Sequence, residues 1–128
     1  MFRANIFSSI ILIIIIGLNS CTRDIKFDKI KWNQRNGSGY YDCRDLMLED
    51  LLQNHNIKGS KIDELRNLFG EINPISLPNG NSALNFNIVT DFKYDIDPQY
   101  TKDLILYLDK DSVVSNYKIK ERNAGEIP

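Results

Sequence analysis

An α+β fold, with two helices packed on one face of a three- or four-stranded antiparallel sheet, is what this sequence predicts. Three observations carry it. Two stretches between residues 43 and 69 repeat apolar side chains at helical spacing, and stretches from Leu84 onward alternate apolar and polar residues with the strand period. A tight turn, Asp109-Lys110-Asp111-Ser112, joins two of the alternating stretches. Helices first and strands afterwards is the order of an α+β domain, not of a parallel sheet with crossover helices.

The first helix is expected from about Cys43 to His55. Asp42 is its candidate N-cap, and Asp45 suits the positive end of the helix dipole. Leu48, Leu51, Leu52 and His55, with Met47 beside them, form the apolar stripe, leaving Arg44, Glu49, Asp50 and Gln53 as a polar face. Asn56 to Gly59 ends this helix. The second starts at Ser60, whose hydroxyl is placed to cap the amide near Asp63. Ile62, Leu65, Leu68 and Phe69 line one side, and Gly70 stops it. Pro74 and Pro78 with Asn79-Gly80-Asn81 read as a loop.

Strands follow. Leu84, Phe86 and Ile88 alternate with Asn85 and Asn87. Residues Asp91 to Pro98 interrupt the pattern with aspartates and aromatics. Leu104, Leu106 and Leu108 resume it, backed by Ile105 and Tyr107, and Val113, Ser115, Tyr117 and Ile119 return along the next strand. The sheet face away from the helices is expected to carry Asn85, Asn87, Tyr107, Asn116 and Lys118, with Ile105 and Val114 as apolar members. Residues 122–128 read as a frayed tail.

Ahead of this body, Met1-Phe2-Arg3 makes a positive start, and the run Ile10-Ile11-Leu12-Ile13-Ile14-Ile15-Ile16 is the centre of an apolar stretch ending at Asn19-Ser20. Positive, apolar, then small is the order of a secretory signal over residues 1–20. The stretch is shorter than the ~20 apolar residues a membrane-spanning helix needs, and Arg23-Asp24 follow at once. Leu18-Asn19-Ser20-Cys21 resembles the bacterial lipobox. That resemblance implies a diacylglycerol group on the Cys21 thiol, cleavage before it and acylation of the new amine. Two or three chains anchor stably where one is marginal, at ~0.8 kcal/mol per buried methylene. Residues 21–41 then read as lipidated cysteine and flexible tether, broken by Asn36-Gly37-Ser38-Gly39. Ile25, Phe27, Ile30 and Trp32 are candidates for a docked segment within it. Thr22 after the cysteine, where the sorting resemblance would place aspartate for inner-membrane retention, favours the periplasmic face of an outer membrane.

Without residues 1–20, whose one charged residue is Arg3, 15 basic residues face 17 acidic ones. That balance argues against nucleic acid as a partner, which demands a clustered basic surface, and against a polybasic membrane patch. No cofactor motif is present. Cys43 and the single histidine, His55, lie twelve residues apart, about 120° around a helix, so they do not form a Cys–His nucleophile pair. Asp91, Asp95, Asp97, Asp109 and Asp111 lack the spacing of a calcium loop and read as turn chemistry. The sequence therefore indicates no enzyme, no catalytic residue and no metal site.

The order of parts is distinctive: Arg44, Met47, Asp50 and Leu51, then Gly59-Ser60, Leu68-Phe69-Gly70 and Pro74, and later Thr101-Lys102, Leu104, Leu108-Asp109-Lys110-Asp111 and Val113-Val114. Over residues 42–121 it resembles the small lipoproteins of the SmpA/OmlA (BamE-like) type, whose module is related in shape to β-lactamase inhibitor protein. Glu71-Ile72-Asn73-Pro74 departs from that family's tight Gly-x-Pro turn. The resemblance implies a membrane-anchored protein-interaction module of the cell envelope, accessory to outer-membrane assembly, with an envelope protein as partner. The alternative is a periplasmic inhibitor or small-ligand-binding lipoprotein. Trp32, Tyr107 and Tyr117 are the candidate partner-binding residues, and Cys21 the lipidation site.

Overall fold

The computed structural model describes residues 24–127. The expected signal segment and Cys21 lie outside them. The domain is α+β, with a four-stranded antiparallel sheet preceded by helices. Among the described residues three helical segments are present, where two were expected. The additional one, α1 (Lys29–Trp32), is a single turn capped by Asp28, whose carboxylate accepts from the Lys31 amide at 3.0 Å.

The segment read as a tether is pinned to the body at a few positions. The Ile25 amide donates to the Leu46 carbonyl at 3.0 Å, and the Phe27 amide donates to the Asp50 carboxylate at 2.8 Å. Ile25 and Phe27 lie against the core, whereas Ile30 points to solvent. Trp32 has no exposed surface, and its ring sits 5.4 Å from Phe27, 5.5 Å from Phe69 and 5.8 Å from Phe86. Three large apolar groups along eight residues, Ile25, Phe27 and Trp32, gave the stretch enough area to bury, which outweighed the flexibility of its Gly-Ser neighbours. Those neighbours form an ordered turn. The Asn36 side-chain oxygen accepts from the Ser38 and Tyr40 amides, and its nitrogen donates to Asp42 at 2.9 Å.

With its carboxylate committed to Asn36, Asp42 does not cap the next helix, α2 (Arg44–Asn54). Cys43 takes the cap position without a side-chain bond. Met47, Leu48 and Leu51 are buried as expected, but so is Arg44, which the periodicity had put on the polar side. Helix α3 (Ile62–Phe69) starts after Lys61, and the Ser60 hydroxyl turns back to donate to the Asn56 carbonyl, leaving the Asp63 amide alone. Gly70 ends α3 at φ 88°, a conformation open to glycine, and the Asn33 side chain closes the last turn by donating to the Phe69 carbonyl at 2.7 Å.

The sheet runs in sequence order: β1 (Ile75–Ser76), β2 (Ser82–Asp91), β3 (Tyr100–Leu108) and β4 (Val114–Asn123). Strand β1 falls inside the expected loop and pairs only with Ala83 and Ser82. Pro74, just ahead of it, has no amide proton to donate and ends the ladder there. Leu84, Phe86, Leu104, Leu106 and Leu108 join Trp32, Met47, Leu48, Leu51, Leu65 and Phe69 in one core. An irregularity between Asn87 and Val89 inserts Ile88, and a second at Tyr107/Leu108 sets Val114 opposite Leu108. Val114 is consequently buried, not a member of the far face. The chain expected to fray at 122 continues the sheet, and Arg122 pairs at 3.1 Å with Asp103, which is also held at 3.0 Å by Asn87. Among the described residues no helix is long and apolar enough to cross a membrane.

Candidate docking surface

The residues joining β2 to β3 form an ordered tip. The Asp91 side chain accepts from the Lys93 amide at 2.9 Å, and the Asp91 carbonyl accepts from the Gln99 amide at 2.8 Å, closing the base. The Asp95 amide donates to the Phe92 carbonyl at 2.8 Å. Its carboxylate accepts from the Ile96 amide at 2.7 Å and from the Gln99 side chain at 3.1 Å. Aspartates in this loop thus serve the backbone, as Asx-type turns do. Two adjacent residues, Lys93 and Tyr94, take positive φ of 46° and 66°. For side chains with a Cβ this costs about 1–2 kcal/mol each, and such strain persists only where the surroundings over-determine it.

The strain has a result. Tyr94 and Ile96 stand free of the body at 110 % and 91 % relative exposure, while Phe92 below them is half-buried and meets Tyr40 edge-to-face with ring centres 5.4 Å apart. An aromatic and a branched aliphatic side chain fully in water on a hydrogen-bonded tip make a compact apolar projection. Such side chains become anchors when a partner covers them.

The residues singled out by sequence are differently placed. Trp32 is wholly internal and offers a partner no surface. Tyr107 is half-buried opposite Ala83 and Asn116. Tyr117 lies opposite Leu106 on the face that carries the core, exposed at 37 % beside Ile119 at 38 % on the edge strand. Because register partners share a face and neighbours alternate, Tyr107 and Tyr117 belong to opposite faces and cannot form one patch. The sequence did hold a signal for the tip: Tyr94 and Ile96 sit between aspartates in a stretch with no strand alternation to bury them.

The chain matches no family model, no curated protein and no solved structure. Cys21, the lipidation candidate, lies outside the described residues. Cys43 is a half-buried free thiol. His55 packs edge-on against Phe27 at 5.4 Å and approaches Asp50 at 3.8 Å. Asp50 is held below the usual carboxylate range, first by the Phe27 amide and then by the Asn54 side chain.

Proposed function

We propose that this chain is a lipid-anchored interaction module of the cell envelope, with acyl chains on Cys21 and the β2–β3 tip as its docking element. The reading keeps the two-helix, one-sheet plan of the BamE-like lipoproteins as its template, with the Ile25–Trp32 segment as an addition. The observation that carries it is the exposed Tyr94–Ile96 projection on a hydrogen-bonded, strained tip. A module that holds two apolar side chains in water at a conformational cost is built to cover them elsewhere. Tyr117 with Ile119 on the edge strand is a second, weaker contact element, and Tyr107 has no part in either.

Crosslinking from a photoreactive residue at position 94, in the lipidated full-length chain within native envelopes, tests the docking. A single predominant crosslinked protein, lost when Ile96 is changed to Ser, is the expected result. A label that crosslinks only to lipid or to many proteins at random overturns it. Mass spectrometry of the mature chain tests the anchor. It should begin at a triacylated or diacylated Cys21, and an unmodified chain starting at Met1 would refute the lipoprotein reading. The small-ligand alternative also has an observation in its favour, a cavity beside Arg44.

A further inference from the structure

Arg44 stands at the first turn of α2, only 4 % exposed. Its Nε donates to the Trp32 carbonyl at 2.8 Å and its Nη1 to the Asn87 carbonyl at 2.9 Å. The guanidinium lies over the Tyr41 ring, 3.3 Å from the ring centre, and 4.8 Å from that of Trp32. Among the described residues no carboxylate comes within ion-pair distance of it, and these two hydrogen bonds both go to backbone carbonyls. A buried charge without a counterion is costly. Burial holds the Arg44 pKa down to about 10; Tyr41 partly offsets this, and the charge of Arg35 adds to it.

The guanidinium borders a cavity of about 450 Å³ whose other lining residues include Arg35, Tyr41, Glu71, Asn73 and Asn85. This volume lies in the range of small-molecule sites. It exists because β1 is short. Beyond Ala83 no strand covers the outer edge of β2, and Pro74 is the reason the ladder stops. Arg35 reaches the same place, with its Nε 3.1 Å from the Tyr41 hydroxyl, so that one aromatic ring positions both guanidinium groups. Two arginines and one glutamate leave the lining one positive charge in excess, which matches a singly charged ligand better than a dianion.

We infer that this cavity is a binding site for an organic carboxylate, with Arg44 as the buried anchor and Arg35 as the outer clamp. A guanidinium presents a planar fork that fits a carboxylate through paired, charge-assisted hydrogen bonds. The carboxylate comes from a small metabolite or from the free C-terminus of a peptide. The inference does not rest on the docking tip, which uses other residues.

The test is a titration of the full-length chain in detergent, following the side-chain Nε–Hε resonance of Arg44. Four probes are compared: acetate, free alanine, a tripeptide with a free C-terminus beside its amidated form, and inorganic phosphate, with chloride as the ionic-strength control. Saturable shifts from carboxylates but not from chloride or the amidated peptide are expected. Stronger binding of the tripeptide assigns the ligand to peptide ends, and stronger binding of acetate or alanine assigns it to metabolites. Arg44→Gln risks unfolding the domain, so two milder variants decide the matter. Arg35→Gln should weaken binding about tenfold, corresponding to about 1.4 kcal/mol. Arg35→Glu, which turns the single excess positive charge of the lining into a negative one, should abolish binding while leaving the circular dichroism spectrum of the fold unchanged. Absence of any saturable carboxylate shift, tighter binding of phosphate than of every carboxylate, or undiminished binding in Arg35→Glu each overturns the inference.

Discussion

Replacing Trp32 with alanine tests whether the segment next to the proposed anchor belongs to the folded body. The indole is wholly buried among Phe27, Phe69 and Phe86, with the Arg44 guanidinium on its ring. A tryptophan buries about 200 Å², and at about 25 cal/mol per Å² that is about 5 kcal/mol. Its buried Nε1 has no hydrogen-bond partner, an unmet donor that takes back about 1–3 kcal/mol. Losing the ring also opens a cavity, so the net cost should fall at about 3–5 kcal/mol. For a domain of this size each kcal/mol moves the melting temperature by about 4–8 °C, so a drop of about 12 °C or more is expected. Urea unfolding followed by far-ultraviolet circular dichroism measures it, since the variant has no tryptophan left to fluoresce. Trp32→Phe should cost less than its lost area implies, because it removes the unmet N–H together with the indole. A Trp32→Ala variant within about 0.5 kcal/mol of the parent, the scale of an ordinary surface change, would refute the packing argument.

Three further outcomes are expected. Asp50, whose pKa is lowered in the folded state chiefly by the Phe27 amide, stabilises the protein above the pKa it has unfolded, and this is lost as pH falls through the folded value. Melting temperatures of Asp50→Asn should therefore fall less steeply than the parent's when pH drops below about 4. Tyr100, pushed up to about 12 first by burial and then by its 2.8 Å bond to Glu121, should be among the last tyrosines to ionise in an absorbance titration. Its stabilisation is present below the ordinary phenol pKa of about 10 and is lost as pH rises through about 12. Glu121→Gln should bring the ionisation down. Tyr94→Gly should raise stability by up to about 1 kcal/mol by relieving the positive φ, while abolishing the position-94-dependent capture of a partner. Equal or lower stability in thermal melts would contradict the strain reading.

The periodic parts of this fold were legible in the sequence, because periodicity reports which side faces a core. Leu48 and Leu51, Leu65 and Phe69, and Leu104, Leu106 and Leu108 all went where their spacing directed. The misplacements came from long-range competition. Asp42 was a sound cap, but Asn36 claimed its carboxylate. Arg44 looked like a surface residue by spacing, and only the aromatic surroundings supplied by Trp32 and Tyr41 explain its burial. Val114 changed faces because of an irregularity in register, which leaves no mark in composition. The proposed docking tip lay in plain view, but its reading depends on backbone angles at Lys93 and Tyr94 that no pattern of residue types specifies.

The aromatic cluster around Trp32 also has a bearing on the order of assembly. During synthesis the indole leaves the ribosome well before Phe69 and Phe86, the rings it must meet. The hairpins β2–β3 and β3–β4 join near neighbours in the chain and close early, whereas this contact must bridge most of α2, α3 and the following loop. The end of the chain made first is therefore the end that settles last. Until then the Ile25–Trp32 segment stays undocked, which is the state the export and cleavage proposed above would require.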